Sequence, residues 1–278
     1  IFQKTSNPPQ AVTSPTISKI AITPDHIYQG NILTITITST GDNVPVGSWN
    51  GRELPFHPNG ENTFTALQGI GAMHNVGLNE LTISTMSEET KTFSFEQFLL
   101  TYETFYPSES ITVNPITLDP ATQSAEDELI AEVVSEITEE KYWNQPFLCV
   151  VDQPTCVRSW FGTNRNYNNG TYFSFHSGID YGICATLNIY APADGVVVFT
   201  DSLTIRGNAT YIDHGYGVFS AFFHQSEIWV EPGDFVKAGD IIGQIGTTGR
   251  STGGHLHYDL IINGDQVDPL QWLPNDCR

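Results

Sequence analysis

The chain has 278 residues, 39% of them hydrophobic, which suffices for two ordinary domains that each bury an apolar core. Its 31 acidic residues outnumber the 11 basic ones, and the net charge of −20 disfavours nucleic acid and anionic lipid surfaces, because both attract basic patches. No run of about 18 apolar residues occurs, so the sequence predicts no integral membrane segment.

The first part of the chain has the pattern of a β-sandwich. Residues 1–15 are rich in Pro, Ser and Thr and predict a flexible leader, and a first residue other than Met suggests a trimmed form. From residue 16, branched apolar residues alternate with Thr, most clearly over Ile32–Thr38. Short strands and turn signals then alternate about every ten residues, so we expect an immunoglobulin-like (Ig-like) sandwich over residues 16–118.

A helix is predicted next, over residues 119–142. Asp119 can cap its start, and Pro120 suits its first position. Apolar residues between Leu129 and Ile137 recur at helical spacing and form one stripe. We interpret the segment as a linker helix that packs on a domain, with its acidic side chains facing solvent.

Glycine and strand patterns return after residue 142 and predict a second, antiparallel β domain over residues 143–278. All four cysteines lie in this half: Cys149, Cys156, Cys184 and Cys277. Two disulfides and an oxidising compartment are the favoured interpretation, and buried thiols the alternative. The preferred pairing is Cys149–Cys156 with Cys184–Cys277, although spacing leaves the connectivity open.

Two short motifs in this half bring potential metal ligands together. His176 and Asp180 are four residues apart, whereas His255 and His257 precede Asp259 in a strand pattern that places all three on one face. Nitrogen and carboxylate ligands suit zinc, and three of them leave the open position that a catalytic zinc needs. Such a zinc activates water and polarises a carbonyl, while spare histidines can move protons. A lone His-x-His is more often structural, and the spacing alone leaves all five residues as candidates.

Ten motifs are dispersed over residues 142–275. They are WNQPF (143–147), WFG (160–162), HSGID (176–180), APADGVV (191–197), DHG (213–215), FHQS (223–226), VKAGDIIG (236–243), GTTG (246–249), HLH (255–257) and VDP (267–269). Together they resemble the LytM/lysostaphin-type metallopeptidases, peptidase family M23, which cut peptide bonds in bacterial peptidoglycan.

The resemblance implies a role for each matching position. It places one zinc ion per chain on His176, Asp180 and His257, and it assigns His224 and His255 to water activation and transition-state stabilisation. It also places Asn208 where it lines the substrate cleft. Four remaining histidines are interpreted as structural or surface residues: His26, His57, His74 and His214. The sequence departs from the family around His224, where Phe222 replaces a common tyrosine.

The expected protein is a monomeric, extracytoplasmic bacterial zinc endopeptidase that hydrolyses peptidoglycan cross-links. The region around residues 143–147 and the Arg206–Asn208 segment resemble the D,D-endopeptidase branch more than the glycyl branch. Two alternatives remain open: a glycyl-glycine endopeptidase, and a catalytically silent binding or activator module of the cell envelope. The Ig-like domain is expected either to cover the cleft or to position it against the wall.

Overall fold

The computed structural model describes residues 16–40, 44–85, 93–144, 146–153, 155–183 and 185–278. The expected leader at residues 1–15, Gln145 of the first motif and Cys184 lie outside these ranges. The chain is mostly β, as predicted. In the described ranges, no helix has both the length and the apolar character needed to cross a membrane.

The N-terminal half contains two facing sheets. Its strands are β1 (Thr16–Thr23), β2 (Ile27–Tyr28), β3 (Ile32–Thr40), β4 (Val46–Trp49), β5 (Arg52–Pro55), β6 (His57–Pro58), β7 (Thr63–Gly69), β8 (Gly77–Thr85) and β9 (Phe93–Tyr102). One sheet has the order β1-β3-β7-β6 and the other β2-β9-β8-β4-β5. Leu33, Ile35 and Ile37 of β3 are buried and pack with Leu81 and Ile83 of the second sheet. The predicted alternation therefore forms the core, and the Ig-like assignment stays a prediction.

The segment between the two halves contacts the C-terminal half closely. It contains β10 (Ser108–Ile111), a 3₁₀ turn at Pro115–Leu118 and helix α1 (Pro120–Val133). The predicted cap is confirmed, because the Asp119 carboxylate accepts a hydrogen bond of 2.9 Å from the Thr122 amide. The expectation that the acidic side chains face solvent is wrong for Glu126, which is buried.

The C-terminal half is built on one large sheet. Its strands are β11 (Val157–Ser159), β12 (Asn164–Tyr167), β13 (Tyr172–Phe175), β14 (Ile179–Gly182), β15 (Asn188–Tyr190), β16 (Gly195–Leu203), β17 (Gly207–Asp213), β18 (Val218–Gln225), β19 (Glu227–Ile228), β20 (Phe235–Val236), β21 (Ile241–Gln244), β22 (His255–Ile262) and β23 (Asp265–Val267). The large sheet has the order β11-β14-β22-β18-β17-β16-β20, with β23 beside β22, and its pairs are antiparallel. Two three-stranded sheets flank it, β15-β21-β19 and β10-β12-β13.

The two faces of the large sheet bury different partners. One face packs Phe222, Tyr258 and Leu260 against Ile189 and Ile242 of the β15-β21-β19 sheet. The opposite face packs Tyr211, Phe219, Phe223 and Ile261 around Ile130 of α1. Alternate residues of β18 and β22 therefore enter two separate cores, and the α1 face is also the one that carries the clustered histidines.

The preferred cysteine pairing is wrong. Cys149 forms a disulfide with Cys277, across 128 residues, with the two Cα atoms 5.4 Å apart. The chain ends in a short 3₁₀ turn at Asn275–Cys277, and this turn brings Cys277 next to Cys149. Cys156 is disulfide-bonded as well. Nearness in sequence had favoured Cys149–Cys156, but the tertiary fold determines which sulfurs meet.

Candidate metal centre and active-site cleft

Strands β14 and β22 bring the predicted ligands together. They are antiparallel neighbours, and their register places Asp180 directly opposite His257. His176 precedes β14 and reaches the same point through the tight stretch that contains Gly178. A Cβ atom at Gly178 would lie 2.1 Å from the Tyr258 carbonyl oxygen, so only glycine permits this close approach.

The three predicted ligands converge through one atom each. His176 Nε2 lies 2.9 Å from Asp180 Oδ1 and 2.9 Å from His257 Nδ1. His257 Nδ1 lies 2.9 Å from the same Asp180 oxygen. All three side chains are buried. The atoms form a nearly equilateral triangle, which is the arrangement that one shared cation would require.

Outer hydrogen bonds fix which ring nitrogens carry protons. His176 Nδ1 lies 2.9 Å from the Trp160 carbonyl oxygen, which can only accept, so this nitrogen donates and Nε2 is left with its lone pair. His257 Nε2 donates to Asp259 Oδ1 at 2.7 Å, so Nδ1, which faces the triangle, is the nitrogen whose proton a cation would displace. Three electron-pair donors thus meet at one buried point, and a divalent cation such as zinc fits this donor set.

The electrostatics of the cluster favour a positive charge. Burial alone would lower the pKa of His257, but the neighbouring carboxylates of Asp259 and Asp180 raise that pKa to about 9. Burial would likewise raise the pKa of Asp180, yet His176 and His257 hold the pKa of this carboxyl well below its usual range. Burial lowers the pKa of His176, which favours the neutral form that a metal ligand needs.

The two predicted catalytic histidines lie beside the triangle. The ring centroids of His224 and His255 are 4.7 Å apart, and His255 Nε2 is 3.8 Å from Asp180 Oδ1. Their Nδ1 atoms donate to the carbonyl oxygens of Thr248 and Gly253, each at 2.8 Å. Each imidazole therefore keeps Nε2 available for a substrate. Burial, with His255 and His257 nearby, holds the pKa of His224 well below its usual value, so it is neutral at pH 7.

A β-bulge explains how His224 reaches the site. The pairing of β17 with β18 shifts register between Asn208 and Thr210, and His224 takes a left-handed backbone with φ of +63°. In a regular strand, His224 would point away from the face that carries Phe223. The bulge allows both side chains to face the cluster, and the Phe223 ring stacks on His257 with centroids 5.0 Å apart.

The cluster lies in a cleft of about 460 Å³. Helix α1 contributes one wall through Gln123, Asp127 and Ile130, and the β12–β13 hairpin contributes another. Asn208, predicted to line the cleft, donates its side-chain amide to the Gln225 carbonyl at 3.0 Å, next to His224. Its role as a substrate contact stays a prediction.

Three arginines also line this cleft, Arg165, Arg206 and Arg250, and no sequence motif predicted them as cleft residues. Each contacts the segment that precedes the C-terminal half. Arg165 pairs with Glu109 and with Asp180, and Arg206 pairs with Glu126 and Asp127 of α1. Arg250 donates to the Thr117 carbonyl and to the Gln123 side chain. No local motif indicates the contacts with that segment, because each of them joins residues more than 50 positions apart.

The arrangement suits hydrolysis of a carbonyl compound. A zinc ion at the triangle would act as a Lewis acid and lower the pKa of water to about 7. His224 and His255 present Nε2 atoms that can take a proton from the nucleophile and pass one to the leaving group. The walls formed by α1 and the β12–β13 hairpin border the space in front of these atoms.

Comparisons with known proteins agree with this chemistry. Residues 174–269 match the model of Peptidase family M23. The DD-carboxypeptidase/endopeptidase Mpg of Neisseria meningitidis is 43% identical over 95 residues, which are 34% of this chain and 22% of Mpg. The peptidoglycan DD-endopeptidase ShyA of Vibrio cholerae is 40% identical over 121 residues, which are 44% of this chain and 28% of ShyA. The chain thus spans about a quarter of the length of these curated relatives.

A solved structure extends the likeness to the fold of most of the chain. A candidate M23 peptidase from Pseudomonas aeruginosa superposes with a TM-score of 0.61 at 23% identity, over 88% of this chain and 94% of that one. At this identity the likeness concerns the fold alone. The triangle and the paired histidines all lie within residues 174–269, the part of the chain that matches the model of peptidase family M23.

Proposed function

We propose that this protein is a zinc-dependent endopeptidase that hydrolyses peptide cross-links of bacterial peptidoglycan, with D,D specificity. The observation that carries the proposal is the convergence of His176, Asp180 and His257 beside two histidines with available Nε2 atoms. A binding module would not need this complete set. Two of the relatives are named for DD-endopeptidase activity, which supports the substrate and the specificity.

The proposed site of action is the cell envelope. Peptidoglycan lies outside the cytoplasm, and the Cys149–Cys277 disulfide suits an oxidising compartment. We propose that the protein works there as a monomer with one zinc ion per chain.

The test is a digest of purified peptidoglycan by the zinc-loaded full chain, with the products identified by mass spectrometry. We expect cross-linked muropeptide dimers to decrease and monomers to increase, each cleavage adding one water. The variant His257→Ala should leave the dimers intact. Release from glycine-bridged material alone would replace the D,D assignment with a glycyl specificity. Binding without any cleavage would indicate a silent module.

A further inference from the structure

Arg165 lies between a proposed metal ligand and a strand from outside the matched family region. Its Nη2 atom is 2.7 Å from Asp180 Oδ2, and its Nε atom is 2.8 Å from Glu109 Oε1 of β10. The side chain of Arg165 is only 13% exposed, so these two carboxylates are its main polar surroundings. Glu109 precedes the matched region, residues 174–269, by more than 60 positions.

Strand register places this group of residues side by side. Glu109 and Arg165 are partners in the parallel pairing of β10 with β12, and Ser159 is the partner of Asp180 in the pairing of β11 with β14. Ser159 Oγ also donates to Glu109 Oε1 at 2.9 Å and accepts from Arg165 Nη2 at 3.1 Å. The network is therefore closed, and backbone pairing on both sides holds it in place.

The two oxygens of Asp180 have different tasks. Oδ1 faces the nitrogen atoms of His176 and His257, and Oδ2 accepts from Arg165. The planar guanidinium holds the carboxylate in one orientation, with a single oxygen directed at the cation position. Side chains that hydrogen-bond to a metal ligand, without contacting the metal themselves, orient that ligand and affect metal affinity.

We propose that Arg165, anchored by Glu109 of β10, is a positioning residue that sets the orientation of Asp180 for zinc binding. The segment before the C-terminal half thereby becomes part of the metal centre. This inference rests on the proposed zinc site and adds to it Arg165 and Glu109, which no sequence motif indicates.

The test is the zinc dissociation constant of the full-length protein, measured by competition with a chromogenic chelator. We expect Arg165→Ala to weaken zinc binding about 10- to 100-fold. Arg165→Lys should recover only part of the affinity, because a single ammonium cannot bridge Glu109 and Asp180 as the guanidinium does. Glu109→Ala should weaken binding less than Arg165→Ala, and Glu109→Gln, which keeps an acceptor oxygen, should lie closer to the wild type.

The absorption spectrum of the cobalt-substituted protein gives a second readout. A changed orientation of Asp180 should alter the visible bands in Arg165→Ala, whereas a purely structural role would change only thermal stability. The matched control is Arg52→Ala, which removes another arginine–carboxylate pair, Arg52–Asp265, outside the metal cluster. It should leave both the dissociation constant and the spectrum unchanged.

The possible outcomes separate the two proposals. A wild type that binds no zinc would overturn both the metal site and this inference. If the wild type binds zinc, and the Arg165 and Glu109 variants have the same zinc dissociation constant and cobalt spectrum as the wild type, this inference alone is overturned. Where Arg165→Ala does not fold, the pair Glu109→Ala and Glu109→Gln decides, because equal affinity in those two would contradict the anchoring role.

Discussion

At the residue scale, the His-x-His motif shows how register assigns roles to neighbouring side chains. His257 lies opposite Asp180, and His255 lies opposite Gly182, two pairs further along the ladder. The period of a strand predicted that both would share one face, but not which one would meet the carboxylate. The family resemblance supplied that choice; in the structure, His257 Nδ1 lies 2.9 Å from Asp180 Oδ1, and His255 Nε2 lies 3.8 Å from it.

The roles of His224 and His255 can be separated from metal binding. No nitrogen of either ring belongs to the triangle. His224→Ala and His255→Ala should therefore each lower the rate of cross-link hydrolysis about 10²- to 10⁴-fold while zinc stays bound. Muropeptide analysis measures the rate of each variant, and metal analysis measures its zinc content. His26→Ala, at an exposed position, is the control and should keep full activity. Loss of zinc from either variant would show that its histidine belongs to the metal centre.

His214 provides a test of the second face of the sheet. It is fully buried, its Nδ1 donates to the Asp194 carbonyl at 2.8 Å, and burial lowers its pKa to about 4. In the unfolded chain its pKa returns to about 6.5, so protons bind the unfolded state more tightly. This contribution to stability is complete above pH 6.5 and is lost as the pH falls towards 4.

The predicted size is about 2 kcal/mol between pH 7.5 and pH 5. The difference in unfolding free energy between the wild type and His214→Gln should therefore shrink by roughly that amount on acidification. Denaturant unfolding at the two pH values measures it. A difference that does not change with pH would show that the imidazole is not held neutral by burial.

At the element scale, the start of helix α1 was predictable, but its end was not: the helix stops at Val133, nine residues before the predicted end at residue 142. The surface on which it packs was not predictable either. The apolar stripe and the Asp119 cap indicated a helix, and the acidic composition suggested a solvated face. The structure instead buries Glu126, whose carboxylate accepts from the Ile205 amide at 2.7 Å and pairs with Arg206 at 3.1 Å. These contacts dock the helix on the face of the large sheet that carries the metal cluster. A stripe shows that a helix packs, but not on which surface.

Neighbouring helix positions give a matched stability test. Ile130 is 5% exposed in the core beside Phe223, whereas Leu129 is 37% exposed. Ile130→Ala should lower the unfolding free energy by about 2–5 kcal/mol, because it removes buried methyl groups and leaves a cavity. Leu129→Ala should cost much less. Equal effects of the two variants would mean that α1 does not dock as described.

At the scale of the whole molecule, the segment before the C-terminal half is joined to that half both by charged contacts and by strand pairing. The net charge is −20, yet three arginines in the described ranges line the cleft, and each contacts a residue between 109 and 127. The predicted boundary at residue 118 follows a change in composition, but β10 pairs with β12 of the C-terminal half. Strand pairing across more than 50 residues leaves no local signal, so composition could not reveal it.

The Cys149–Cys277 disulfide ties the C-terminus to the start of the large β unit. Because it closes a loop of 128 residues, its removal should release much conformational entropy in the unfolded chain. We expect Cys149→Ala with Cys277→Ala to lower the unfolding free energy by up to about 5 kcal/mol. Denaturant titration under oxidising conditions measures this. An unchanged midpoint would contradict the bond's stabilising role.

The most direct test of the central claim is the zinc content of the purified full chain, compared with that of His176→Ala. Three buried electron-pair donors at 2.9 Å from one another predict close to one zinc per chain in the wild type and a large loss in the variant. Zinc loading should also raise the melting temperature of the wild type, because the ion binds the folded state. A zinc-free wild type with full thermal stability, and with muropeptide release unaffected by His176→Ala, would contradict the account.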